Sequence, residues 1–504
     1  MLSENARSSA HSASRRDLPL WALTGVAVVV SLLCRLVERH AVRADYDDGV
    51  YWQTAMAIGA GKQPYTEVFH AQPPLFPWLI SLPFRPESTL ALDSEVIARL
   101  FMTLFAVLLC ASAAGVASFL GGPRAGMIAA LGTAILPIVQ DYSYQFGADL
   151  PAAALTGAAL WCAVRAASST SSGLMWTATG GIVTLALFVK LIAVVVLPAI
   201  AILIAATALQ APSWRARVVR GLKVSLWTFA GVAGTAPLLI LLLRPPQLAW
   251  QQIFQFHVQA ANDVHQGIMS AASGAGAWYW PFLLLAGCAA ILNLRHSPKD
   301  RPTTIAVSVF AATGPLFVFL HRPIFGHHML LFVMPGSVLL AVAANALLTR
   351  ANGRESLLPN LTILIASFVC ATQWAILNVG QPFRETKVAA CLLTVPRDYE
   401  IVSDDQELLA RAGLKTPPWL VDTSNVRIKS GYLSDDEIAT ATEHADGVLL
   451  SPRHGRLRMT AAPELAVRHF PVRYTADGYD LYVGTDAALT GCRGKVRSLA
   501  RPVR

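Results

Sequence analysis

Apolar residues dominate this chain in long blocks, and polar residues interrupt them at short intervals. The blocks run Leu18 to Val37, Val96 to Leu120, Ala125 to Val139, Leu150 to Ala167, Leu174 to Val189 and Leu191 to Leu209. They continue as Val224 to Leu243, Trp278 to Leu294, Thr303 to Leu320, Met329 to Leu348 and Leu357 to Val379. Each approaches the length a helix needs to cross a bilayer, which predicts about eleven transmembrane helices. The segment Ala44 to Leu79 is different. It follows the first block, carries three acidic residues within four positions and predicts two short helices lying on a membrane surface. The first would carry Asp47, Asp48 and Tyr51 on one surface, since spacings of three and four bring helical side chains together, and would end at Gly61. The second, PLFPWLISL, opens after Pro73 and Pro74 and is rich in interfacial aromatic residues.

From Gln381 the pattern changes. Short strand-like runs (YEIVSD, WLVDTS, DGVLLSP, YDLYVG) alternate with helical ones (DQELLARAG, DDEIATATEHA), predicting a small α/β domain of about one hundred residues. The chain therefore divides into a membrane domain, 1–380, and a soluble domain, 381–504.

Composition agrees: of 504 residues, 54% are hydrophobic and only 14% charged, so the chain is an integral membrane protein. The net charge of +9 reports topology rather than a nucleic-acid partner, because no basic tract interleaves with aromatics. Arg15, Arg16, Arg124, Arg165, the run Arg215 to Lys223, Arg295, Lys299, Arg301, Arg350 and Arg354 fall on one side of the predicted spans. By the positive-inside rule that side is the cytoplasm. The N-terminus then lies in the cytoplasm, preceding a retained signal anchor, and the loop carrying Asp47 and the soluble domain lie outside. Five of the seven cysteines fall within spans. Cys391 and Cys492, near opposite ends of the exported domain in an oxidising compartment, are expected to form a disulfide, with two buried free thiols as the alternative.

Adjacent carboxylates at a membrane surface repel each other and call for a cation or an incoming hydroxyl. One of the two aspartates can cap the loop helix while the other is free to act as a general base. Lys190 interrupts an apolar run, and the cost of a charge in hydrocarbon places it at the external boundary. Arg322, His327 and His328 gather at one short external turn suited to a phosphate. Arg99, at the mouth of the second span, is expected to pair with a loop aspartate. Glu67 and His70 are candidates by closeness to Asp47, and His257 by its polar external loop.

The pattern Asp47-Asp48-x-x-Tyr51, then Pro64-Tyr65, Glu67 and Gln72-Pro73-Pro74-Leu75, resembles the first external loop of the GT-C glycosyltransferases. The nearest types are the protein-O-mannosyltransferases and aminoarabinose transferases, and within them the bacterial RgtA/B/C/D-like group. Ala98-Arg99-Leu100, Asp149-Leu150-Pro151, Lys190 after an apolar run, and His328 seven residues before Pro335 follow in the family's order. Met329 replaces the usual tyrosine, and Val50 and Gln72 stand where basic residues are common. The resemblance implies a GT-C membrane fold with Asp47 as catalytic carboxylate and Asp48 as second member. It further implies Lys190, His328, His327 and Arg322 at the donor phosphate, and Tyr51, Glu67, His70, Asp149 and His257 at the substrates. The implied activity is inverting transfer of a sugar from a polyprenyl phosphate to a glycan, lipid or protein of the envelope, outside the bacterial cytoplasmic membrane. No cofactor is expected, although a carboxylate pair leaves room for a divalent metal. The rival readings are a transporter or flippase of lipid-linked sugars, which would show paired halves with interrupted helices, and an anchored scaffold whose active part is the soluble tail.

Overall fold

A computed structural model describes residues 18–37, 44–86, 93–169, 172–263, 268–274, 279–296, 300–320, 323–351, 358–376, 386–485, 489, 492 and 495–498. Most of it is a bundle of apolar helices. Among the described residues, six helices are long and apolar enough to cross a membrane, and shorter apolar helices such as Gly173–Val189 and Tyr279–Arg295 pack with them. Burial sorts the six. The spans Asp149–Ala167 and Gly326–Arg350 are each 72% buried in the bundle, whereas Trp214–Ile240 is only 17% buried and turns Val219, Leu226 and Phe229 outward. Because lipid is as apolar as a leucine side chain, that outward face needs no protein cover.

The helix Leu330–Ala351 is the central post, packing against Ser94–Gly121, Pro123–Ala134, Asp149–Ala167, Tyr279–His296 and Arg301–Leu320. The block expected to run unbroken from Ala125 to Val139 is divided. One helix ends at Ala134 and a second, Pro137–Tyr142, starts with proline at its first position. Proline has no N–H to give the preceding turn, and its ring restricts the residue before it.

The loop after the first apolar helix folds as expected into two short helices. Tyr46–Gly59 is capped by Asp45 and stops at a turn in which Gly61 takes a φ of +92°, a conformation side-chain-bearing residues avoid. Leu75–Ser81 starts directly after Pro74 and buries Phe76 and Ile80.

Beyond the bundle lies a five-stranded sheet, β1 (Ile401–Ser403), β2 (Gly447–Leu450), β3 (Val472–Ala476), β4 (Tyr479–Val483) and β5 (Lys495–Ser498), in the order β1-β2-β4-β3-β5. Only β1 and β2 are parallel. The helices Gln406–Arg411 and Asp435–His444 form where predicted, but WLVDTS is not a strand. Pro417 and Pro418 start a short 3₁₀ turn there, and Leu420 and Val421 are buried without joining the sheet. The strand Val472–Ala476 was instead supplied by a run not singled out from the sequence.

Cys391 and Cys492 are joined in a disulfide that closes 101 residues of chain around this sheet. Closing so long a loop restricts the unfolded chain. Cys391→Ser is therefore expected to destabilise the sheet domain by about 2–5 kcal/mol. Limited proteolysis of the full chain in detergent, with and without reductant, checks this; equal resistance under both conditions would contradict it.

Candidate active site

Local geometry separates the paired aspartates. Successive helical residues point about 100° apart, so Asp47 and Asp48 on the Tyr46–Gly59 helix face different surroundings. Asp48 is 1% exposed and receives both guanidinium arms of Arg99, Nη1 to Oδ1 at 2.8 Å and Nη2 to Oδ2 at 3.1 Å. The Phe146 amide donates to the same carboxylate at 2.6 Å. Arg99 Nε donates to Glu95 at 2.7 Å, Nη1 donates also to the Tyr144 carbonyl at 2.8 Å, and the rings of Trp52 and Phe146 flank the guanidinium. The expectation that Asp48 is the second catalytic carboxylate is therefore corrected. With its oxygens taken and no path to solvent, it anchors the helix to the bundle.

Asp47 keeps 38% of its side chain exposed. His327 stands between it and the helix cap, with Nε2 3.7 Å from Asp47 Oδ2 and Nδ1 3.4 Å from Asp45 Oδ2. Asp45 also accepts from Tyr142 Oη at 2.8 Å and from the Tyr46 amide at 2.7 Å. These surroundings drive the two carboxyls apart. Surrounding protein raises Asp47 to about 6, against the opposing charge of His327. For Asp45 burial acts in the same upward direction, but the hydrogen bond and charge of His327, with Tyr142, outweigh it and hold the group below the usual carboxylate range.

Opposite them lies a second pair. Lys190 Nζ donates to both oxygens of Asp149, at 2.8 and 2.7 Å. Lys190 occupies an extended break between the Gly173–Val189 helix and a 3₁₀ segment, and Asp149 begins the helix Asp149–Ala167. His328 is buried against Phe317, its ring centroid 4.7 Å from that of His327. Asp149, His327 and His328 bring possible metal-ligating atoms within 4.8 Å of one another. A cation there would compete with Lys190, which already neutralises Asp149.

The other expected residues divide. Tyr51 is buried between Phe76 and His70, and burial with the Asp47 and Asp149 charges pushes its hydroxyl well above its ordinary value. His70 is 4% exposed, its Nε2 has no hydrogen-bond partner, and burial lowers it to about 4, so it is a neutral imidazole. His257 contacts the Ile253 carbonyl through Nδ1 at 2.8 Å. A carbonyl only accepts, so Nδ1 carries the proton and Nε2 accepts from the Gln72 amide at 3.3 Å. Glu67 is corrected: it lies on an outer turn, 41% exposed, paired with Lys62 at 2.9 Å and accepting the Gln63 amide. A turn that satisfies its own charge does not turn it inward. Arg322 lies outside the described residues. Sequence reasoning did not single out Tyr142 or Asp422, which reach the site from distant parts of the chain; Asp45 was visible only as a member of the acidic run.

Ends of apolar helices bring carboxylates, an ammonium and imidazoles together beside the sheet-bearing C-terminal part of the chain. The family model for dolichyl-phosphate-mannose-protein mannosyltransferase matches residues 71–240. No curated protein sequence matches the chain significantly. Among solved structures, ArnT from Cupriavidus metallidurans in the apo state is 15% identical with a TM-score of 0.63, covering 95% of this chain and 100% of its own. The same enzyme bound to undecaprenyl phosphate matches equally, at 15% identity and TM-score 0.63, over 95% of this chain and 99% of that one. The archaeal oligosaccharyltransferase AglB from Archaeoglobus fulgidus, in complex with an inhibitory peptide and a dolichol-phosphate, is 12% identical with a TM-score of 0.53, covering 93% of this chain and 74% of its own. The resemblance read from the loop motifs is thus joined by a family-model match over residues 71–240 and by a likeness to the ArnT fold over 95% of the chain.

The different surroundings of the paired aspartates predict different mutant behaviour. Asp48→Ala leaves Arg99 buried without its partner and is expected to cost about 3–5 kcal/mol. Asp47→Asn, at a partly open position, is expected to stay within about 1 kcal/mol of wild type. Thermal unfolding of the two variants in detergent compares them, and equal midpoints would contradict the division of roles.

Proposed function

We propose that the chain is an inverting glycosyltransferase that takes a sugar from a polyprenyl phosphate and passes it to a hydroxyl of an envelope glycan, lipid or protein. The reaction takes place at the external face of the bacterial cytoplasmic membrane, with the N-terminus in the cytoplasm and the soluble domain outside. The observation that carries this reading is Asp47, a partly exposed carboxylate raised to about 6, beside His327, whose ring lies within 4.8 Å of the Asp149 carboxylate that Lys190 pairs with.

The acceptor oxygen attacks the anomeric carbon from the side of Asp47, which takes its proton. The bond from the anomeric carbon to the phosphate oxygen breaks, and its electron pair stays on the phosphate. Lys190 has three N–H donors and Asp149 engages it through two short contacts, so the ammonium can also turn toward that developing charge. His327 and His328 line the same region. Asp45, held ionised, orients His327 between the two carboxylates. Tyr51, His70 and His257 face the sugar and acceptor. The neutral imidazole of His70, whose Nε2 lacks a hydrogen-bond partner, can accept a hydrogen bond from a substrate hydroxyl without a change of charge. A phosphomonoester leaving group needs less metal assistance than a diphosphate, and Lys190 supplies a fixed cation.

Mass spectrometry of envelope glycans from cells with and without the gene identifies the product. Asp47→Asn is expected to lower transfer by about 10²–10⁴-fold, the range a general base supplies; retained turnover would remove Asp47 from this role. A base active only when ionised works above its pKa. Transfer by membranes carrying the wild-type chain is therefore expected to rise through about pH 6 and then level off. A profile flat from pH 5 to 8 would contradict this. Extraction with a chelator is expected to leave transfer within about twofold, since Lys190 neutralises Asp149 directly. Loss on chelation, restored by zinc or manganese, would instead make Asp149, His327 and His328 a required metal site.

A further inference from the structure

The loop helix that carries Asp47 is held from two sides, and only one of them is the membrane bundle. On the other side the soluble domain grips its first turn. Tyr46 Oη accepts the Thr423 amide at 2.8 Å and donates to Asp422 Oδ1 at 3.2 Å, with Thr423 Oγ1 at 3.3 Å. The Arg456 guanidinium lies 3.6 Å from the centre of the Tyr46 ring, and His454 meets that ring edge-on at 5.4 Å. Just before it, the Ala44 amide donates to Glu407 at 3.2 Å and Arg453 donates to the Ala44 carbonyl at 3.1 Å.

The contact continues along the helix. A Cβ on Gly49 would lie 2.3 Å from the Glu407 backbone nitrogen, so helix and domain touch backbone to backbone there. One turn on, the Gln53 side chain acts as a missing strand neighbour, donating to the Leu414 carbonyl at 3.0 Å and accepting the Thr416 amide at 3.3 Å. Tyr46 lies between Asp45 and Asp47 in the chain, so any rotation of its backbone moves both carboxylates relative to His327. The Asp422 charge also acts on the Tyr51 hydroxyl and the His257 ring, so this part of the domain lies within electrostatic range of both.

We propose that Tyr46 is a positioning residue through which the soluble domain sets the active site: gripped by Asp422, Thr423 and Arg456, it fixes Asp45 and Asp47 against His327. The inference rests on the glycosyltransferase reading above. It makes the domain part of the catalytic unit, acting through the loop helix rather than through substrate alone.

The test uses the full chain in nanodiscs or native membranes, with undecaprenyl phosphate as the binding probe and the glycan product as the activity readout. Tyr46→Phe removes the hydroxyl but keeps the ring beneath Arg456. Tyr46→Ala removes both, and Gly49→Ala wedges helix and domain apart without touching Tyr46. A misplacement of about 1 Å can cost on the order of a hundredfold in rate. Expected are losses in turnover per folded molecule of about a hundredfold for Tyr46→Ala and Gly49→Ala, and about tenfold for Tyr46→Phe, with undecaprenyl phosphate affinity within about twofold of wild type. The graded recovery from alanine to phenylalanine, at unchanged donor affinity, is what a purely stabilising contact would not produce.

Wild-type turnover per folded molecule in Tyr46→Phe and Gly49→Ala would overturn the proposal, as would losses seen only in the amount of folded protein. Where Tyr46→Ala does not fold, Tyr46→Phe decides. If the wild-type chain itself yields no transferred sugar, it is the glycosyltransferase reading that fails.

Discussion

The buried ion pair between Arg99 and Asp48 is the constraint on which the site depends. Taking two charges out of water is costly, and a buried pair is tolerated only where geometry is good and the remaining donors are matched. Here the guanidinium meets Asp48 with both arms, Glu95 through Nε and the Tyr144 carbonyl through Nη1. The pair therefore has one low-energy arrangement. That arrangement fixes the loop helix against the Ser94–Gly121 helix at this point, while the residue before Asp48 stays partly exposed. An acidic doublet is thus used asymmetrically: one carboxylate is spent on placement so that its neighbour can be left open.

A similar asymmetry orders the open side. Asp45, Asp47 and Asp149 gather with one ammonium and two imidazoles, an acidic concentration that self-repulsion would disperse unless each group had a different task. Asp149 is neutralised by Lys190 at hydrogen-bond distance. Asp45 is kept ionised by His327 and Tyr142 against its burial, while Asp47 is raised by burial to about 6 without such close donors to offset it. Environments that push the pKa values of like groups apart are how a protein assigns acid, base and anchor from one residue type. His327 joins the two halves, since it touches Asp45 and Asp47 and adjoins His328.

Much of this was legible in the sequence, for reasons that are local. Apolar block length is read directly because hydrocarbon demands it, and the Asp45–Asp48 run stood out because charge beside such blocks is unusual. Lys190 declared itself by interrupting an apolar run, and Arg99 by standing at a span's mouth where a buried cation needs a partner. Other features were illegible because they are set by packing across the chain. Nothing near Asp48 says that Arg99 and the Phe146 amide will enclose it while Asp47 stays open. Glu67 looked equivalent to other loop carboxylates until the tight turn with Lys62 fixed its direction. The contact of Tyr46 with Asp422 joins residues separated by 376 positions, and no periodicity records it.

Where the chemistry sits follows from the cost of charge in a membrane. An ionised group at mid-span costs several kcal/mol, about 2.5–3.5 on insertion scales, whereas a helix end offers free backbone groups and access to water. The site obeys this residue by residue. Asp45 caps a helix, Asp149 begins one, Lys190 occupies a break between two, and His327 and His328 lie in the 3₁₀ turn Gly326–Met329 that leads into the central post. Each helix then delivers its reactive group at the same end of the bundle because each must. The C-terminal sheet domain lies over that end, where the loop helix already meets it through Tyr46, Gly49 and Gln53. On the proposed reading, a substrate with its apolar tail among the helices and its polar head at their ends would meet the carboxylates and the lysine there.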